Sequence, residues 1–135
     1  MKCVMIVDES LPAGIIANAT AALGISLASA IDGLTGKGLL DKDARLHQGI
    51  TNIPIPILIL SKEELGILYS ELLEKNDPEI LTIGFSEIAQ KSLNYDDYEI
   101  KLAAAHKDEI GYLGICLYGP KKKINKLTGN LKMLR

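Results

Sequence analysis

Residues 2–31 read KCVMIVDESLPAGIIANATAALGISLASAI, and the change of period inside this stretch decides the fold. After Lys2, Cys3-Val4-Met5-Ile6-Val7 is a continuous apolar run of strand length. A strand that is apolar on both sides needs cover on both faces, the condition of a central strand between helices. Asp8-Glu9-Ser10 ends the run, and Pro12 stands in the first turn of a helix, where a missing N–H costs nothing. Ile16, Leu23, Leu27 and Ile31 then recur at helical spacing and fill one face. Ala13, Ala17, Ala21, Gly24 and Ala28 make a second stripe, small enough for another backbone to approach closely. A buried strand that feeds a buried helix predicts an α/β protein.

The remaining chain repeats the alternation. Ile55 to Leu60 (IPILIL) is a second buried strand, with Pro54 and Pro56 confined to its start. Ser61 caps a helix, Glu64 supplies a capping box, and Leu65, Leu68, Leu72 and Leu73 form the inward face until Asn76-Asp77-Pro78 stops it. Ile80 to Gly84 (ILTIG) is a third strand. Ser86 to Ala105 is helical by spacing and broken near Asn94, where Asp96 and Asp97 suit the positive end of a helix dipole and account for the Tyr95-Asp96-Asp97-Tyr98 cluster. Tyr112 to Tyr118 (YLGICLY) is a fourth strand, and Gly119-Pro120 opens a short helix that Gly129 ends. Between the first two units, Asp32 to Asn52 reads as a long irregular connection with four glycines and His47. The order predicts one domain over residues 1–135: a three-layer α/β/α sandwich around a mixed, mostly parallel sheet of about four strands.

Composition narrows the function classes. The 135 residues are 47% hydrophobic and 24% charged, which excludes disordered, collagenous and coiled-coil chains. Leucine and isoleucine dominate over one Phe, five Tyr and no Trp, so platforms for stacking nucleic-acid bases are scarce. Cys3 and Cys116 sit in apolar runs without a second sulfur or histidine at ligand spacing, and read as buried free thiols with no metal. Leu11 to Ile31 carries no charge and has the length of a membrane span. Its Pro12, Gly14, Asn18 and Thr20, between the acidic flanks Asp8, Glu9 and Asp32, predict instead a buried helix of a soluble protein that binds no membrane. The five apolar residues after Lys2 are too few for a secretory signal, so a cytoplasmic location is expected.

Candidate site residues follow from chemistry and position. Asp8 lies at the carboxyl end of the first strand, where α/β proteins bind ligands, and suits a base or a ligand-orienting acceptor. Asn18 is the one amide of its helix and, if buried, needs a ligand or the His47 loop as partner. His47 offers proton transfer near neutral pH. Lys121, Lys122 and Lys123 occupy a first helical turn, where the dipole disfavours cations by about 0.3–1 kcal/mol each. The free N–H groups of that turn, together with the three ammonium groups, form a candidate phosphate site.

Tyr112 to Pro120 (YLGICLYGP), followed by Ile124 to Lys132 (INKLTGNLK), resembles the last strand and helix of type II peptidyl-tRNA hydrolases, where G-I-G-P leads into K-x-T-G-x-L-K. Asp8 to Asn18 (DESLPAGIIAN), His47-Gln48-Gly49-Ile50, Pro54 to Leu58 (PIPIL) and Tyr118 to Lys122 (YGPKK) are similar to a bacterial family, domain of unknown function 2000, which shares that superfamily fold. The likeness runs from residue 2 to about residue 134. It implies a peptidyl-tRNA hydrolase II-like domain and a homodimer, with Gly14 and Asn18 in the ligand-binding pattern. The hydrolase chemistry does not carry over, because Ala13 stands at the lysine position, Ala17 at the glutamine and Thr20 at the histidine. Without the lysine ammonium no donor is in place for a developing oxyanion. The enzymes' aspartate before the last strand cannot be placed on this sequence, because a helical insertion runs from about Ser86 to His106. Two readings stay open. One is a binding protein for a small anionic or nucleotide-like ligand or an RNA phosphate, without a cofactor. The other is a hydrolase of a different ester or amide, with a site rebuilt from Asp8, Asn18 and His47.

Overall fold

The computed structural model describes residues 1–135. β1 (Lys2–Asp8) is buried from Cys3 onward, as a strand apolar on both sides requires. α1 (Ala13–Ala30) follows directly after Pro12. The connection beyond it is not irregular: β2 (Leu39–Leu40) and β3 (Leu46–His47) pair antiparallel at the tip of a ribbon whose stem is closed by a Thr35–Thr51 bridge. Gly49 permits this ribbon, since a β-carbon there would stand 1.8 Å from the Gly36 carbonyl oxygen. β4 (Ile57–Leu60) leads into α2 (Lys62–Lys75), where the Ser61 hydroxyl accepts the Glu64 N–H at 3.2 Å and Asn76 ends the helix at φ 46°. β5 (Leu81–Ser86), α3 (Glu87–Lys91) and α4 (Tyr95–Ala103) come next, with the break at Asn94, whose side chain accepts the Asp97 N–H at 2.8 Å. A short 3-10 turn (Lys107–Glu109), β6 (Tyr112–Gly119) and α5 (Lys121–Thr128) complete the chain.

The four-stranded sheet has the order β4-β1-β6-β5 and is mixed: β4, β1 and β5 run in one direction, but β6 lies between β1 and β5 and runs antiparallel to both, so only β1 and β4 pair parallel. The cause lies in the excursion through α3 and α4. The Glu87 N–H donates to the Gly111 carbonyl at 2.8 Å, so the excursion leaves and re-enters at the same edge of the sheet. A chain that never crosses the sheet must return antiparallel.

Both faces of the sheet are covered. Ile6, Leu65, Ile115, Leu117 and Ile124 form a core beneath α2 and α5, while Cys3, Met5, Leu23, Leu27 and Cys116 form another beneath α1. Strand pairing brings the two thiols to 3.7 Å, a proximity invisible in the sequence, and both remain free. The neighbouring Cys3 sulfur, with burial, pushes the Cys116 thiol pKa up.

α1 corrects a second expectation. Only Ile16, Ala19, Leu23 and Leu27 are buried, whereas the small stripe of Ala13, Ala17, Ala21 and Ala28 faces outward together with Ile25, which is 75% exposed. By length and composition α1 is apolar enough to cross a membrane, with a mean hydropathy of 1.5. The close backbone approach that its small residues permit is not used within the chain.

Candidate functional site

β1 and β4 run in the same direction and end side by side, with Asp8 opposite Leu60, so the first turns of α1 and α2 overhang one edge of the sheet. Asp8 is there as expected and is 2% exposed. Its Oδ1 accepts the Ser10 backbone N–H at 2.9 Å and the Ser10 hydroxyl at 2.7 Å, which ties the turn into α1. At the same edge the Lys62 ammonium meets the Glu87 carboxylate at 2.5 Å. That contact is the chief cause of a raised Lys62 pKa, with a smaller contribution from the charge of Asp8. The sequence reading missed this pair because 25 residues separate its members and neither lies in a motif.

Beside this edge lies a cleft of about 560 Å³, between the start of α1, β4 and the end of the chain. Ala13, Ala17, Thr20 and Ile57 form its walls, and Glu9 and Arg135 are its charged residues. Arg135 arrives through a pairing that no periodicity announces. The Ile59 N–H donates to the Lys132 carbonyl and the Leu134 N–H to the Ile57 carbonyl, both at 2.9 Å, so residues 132–134 extend the sheet beyond β4. The Thr20 hydroxyl donates to the Ala17 carbonyl at 2.9 Å, leaving its proton on the backbone. No imidazole, amine or thiol lines the cleft.

Asp8 does not line this cleft, and the other candidate residues do not converge on it. Gly14 is exposed on the first turn of α1, with nothing within 4 Å of where a β-carbon would stand. Asn18 is exposed as well, and its amide donates to the Gln90 side chain at 2.9 Å, so it ties α1 to α3 and not to the His47 loop. His47 sits at the ribbon tip with its Nε2 2.8 Å from Asp41, whose carboxylate also accepts the Arg45 Nε–H at 2.9 Å. The ribbon leaves the far end of α1, and eighteen helical residues rise about 27 Å. Asp8 thus ends β1 at one end of the sheet, the ribbon that carries His47 leaves from the other, and the two residues line no common cleft.

The lysine corner also lies at that far end, because β6 pairs Gly119 with Lys2. Lys121 and Lys122 are exposed and unpaired. Lys123 is engaged, its ammonium 2.7 Å from Asp77 and 3.0 Å from Glu79. The Lys123 contact, with the Glu79 N–H second, holds the Asp77 carboxyl below the ordinary carboxylate range. Lys123 is thus a clamp between α5 and the loop before β5, and any phosphate at this corner meets two free lysines. No group of three or more His, Cys, Asp or Glu side chains is placed to hold a metal ion.

Fold and site together define a mixed α/β protein with a four-stranded sheet, five α-helices and a ligand-sized cleft at the carboxyl edge of its parallel strand pair. The chain belongs to the family described as protein of unknown function (DUF2000), whose model matches residues 1–135. Among solved structures it is similar to Atu0240, a protein of unknown function from Agrobacterium tumefaciens strain C58. The likeness covers 99% of this chain and 97% of the other, with a TM-score of 0.87 at 19% identity, and so concerns the fold alone. No curated protein matches the chain.

Proposed function

We propose that this protein is a three-layer α/β/α member of the peptidyl-tRNA hydrolase II-like superfamily that binds a small anionic or nucleotide-like ligand at the carboxyl edge and does not cleave peptidyl-tRNA. The observation that carries this reading is the lining of the cleft. Ala13, Ala17 and Thr20, the positions where the resembled enzymes place lysine, glutamine and histidine, face one cavity that holds no amine and no imidazole. Cleavage of an ester needs a group to stabilise the oxyanion and a group to move a proton, and the lysine and histidine that would do this in the resembled enzymes are Ala13 and Thr20 here, with Glu9 and Arg135 the only charged groups of the cleft. Beside the Glu9 carboxylate, the cleft supplies apolar surface and one cation, Arg135, suited to a phosphate. Adenosine monophosphate in excess is expected to raise the melting temperature, at about 2.7 kcal/mol of linkage for a concentration one hundred times Kd. Arg135→Gln removes that shift, and N-acetylaminoacyl-tRNA stays intact with the purified protein. Turnover of the tRNA ester, or a nucleotide shift that persists in the variant, sinks the reading.

We also infer a homodimer formed through α1. Ala17, Ala21, Ile25 and Ala28 present an uncharged outer face whose small residues let a second helix pack closely. Sedimentation equilibrium is expected to give twice the chain mass, and Ala21→Glu to give the single-chain mass with the far-UV spectrum unchanged. A wild-type protein that sediments as a single chain contradicts the pairing. The two free thiols at 3.7 Å suit a reducing compartment and support a cytoplasmic location.

A further inference from the structure

A second cavity of about 560 Å³ opens at the other end of the molecule, on the face away from α1. It lies where the last turn of α2, the beginning of β5 and α5 meet, and β5 is the outermost strand, so no further strand closes it. Its apolar wall comprises Leu72, Leu73, Ile80 and Leu127, of which Leu73 is left 52% exposed. Lys75 and Lys126 also line it, and neither has a carboxylate within ion-pair distance. Both lie in the last turn of a helix, where the dipole tolerates a cation without an acid beside it. Lys123, by contrast, is neutralised by Asp77 and Glu79, and that clamp fixes the separation of α5 from the α2–β5 loop. Asp77 and Lys123, paired with each other, line the cavity as well, so its unpaired charges are the two ammonium groups of Lys75 and Lys126 beside the apolar wall. Its volume falls in the range of small-molecule sites.

We propose that this cavity is a binding site for an aliphatic monoanion, a medium-chain carboxylate whose tail lies on Leu72, Leu73, Ile80 and Leu127 while its head sits between Lys75 and Lys126. The site is separate from the carboxyl-edge cleft and does not depend on the reading given for it. A neutral chain of the same length covers the same apolar wall and leaves both ammonium groups without a counter-ion. A short carboxylate meets the ammonium groups and buries nothing. Affinity requires both parts.

The test is titration of the uniformly 15N-labelled protein with octanoate, followed by amide chemical shifts. Saturable shifts clustered at Thr82, Asn76 and Leu127 are expected, with octanol and acetate each weaker by about tenfold or more, a difference of about 1.4 kcal/mol. Lys75→Gln/Lys126→Gln weakens octanoate by a similar factor and leaves octanol unchanged. Leu73→Asp, at a half-exposed position, weakens both. Arg135→Gln leaves octanoate unaffected, which separates this site from the carboxyl-edge cleft. Shifts that do not saturate, that cluster around Arg135, or that survive the double lysine substitution overturn the proposal.

Discussion

Ile115→Ala is expected to lower the unfolding free energy by about 2–5 kcal/mol, the range for removing a large aliphatic side chain from a packed core. Ile115 is fully buried on β6 and lies opposite Ile6 of β1, which in turn lies opposite Leu58 of β4. The three side chains form one row across the sheet beneath α2 and α5. Their neighbours belong to four different elements and cannot all close on the space left behind, so the cavity persists. In urea unfolding the midpoint falls while the slope stays unchanged, since the same surface is exposed on unfolding. A loss below about 1 kcal/mol means that the row relaxes and is not the keystone of this face.

Gly84→Val acts on the same row from the other side, by excess volume. Gly84 faces Ile115 across the β5–β6 ladder, and a β-carbon there would lie 2.7 Å from Cε2 and Cζ of Tyr69. The Tyr69 ring fills the space above the glycine and packs on Tyr112, with centroids 4.2 Å apart. Forcing it out costs about 1–3 kcal/mol, as overpacking does in other cores. A second readout follows from titration. Burial, with Tyr69 the next contributor, pushes the Tyr112 phenol up to about 12. Its folded pKa exceeds the unfolded value of about 10, so its contribution to stability is complete below pH 10 and is lost as the pH rises through the folded value. In Gly84→Val the displaced Tyr69 opens Tyr112 to water. The tyrosinate absorbance then rises at lower pH than in the wild type, and the alkaline loss of stability is smaller. An unchanged titration together with unchanged stability shows that Tyr69 yields freely and that the glycine is not needed for it.

The same glycine shows where local reading stops. ILTIG reads as a strand from Ile80 to Gly84, and a glycine inside a strand marks a bulge, a bend or a close approach of another group. The strand continues to Ser86, and the missing side chain is filled from α2 by a tyrosine fifteen positions earlier in the chain. Ser61, Asn76, Asn94 and Pro120, by contrast, mark helix ends where the sequence placed them, since a cap bonds or constrains backbone within its own turn. The candidate site divides along the same line. Asp8 is at the carboxyl edge because it ends β1, a local fact. The second and third expected partners are not there, because an eighteen-residue helix carries the chain to the far end before His47 is reached, and Asn18 turns toward Gln90.

Alternating apolar runs, helix periods and caps determined from sequence alone that this chain makes an α/β domain, and where most of its elements begin and end. These signals act over a few residues, so they are written where they act. Tertiary structure alone decided that β6 enters antiparallel between β1 and β5, that Cys3 meets Cys116, that residues 132–134 bring Arg135 to a cleft walled by Ala13 and Ala17, and that Lys123 is spent on Asp77 and Glu79. Each joins groups that are distant in the chain. Such pairings are chosen by how apolar faces and charges are best buried together, a property of the whole packed arrangement and not of any short stretch of it.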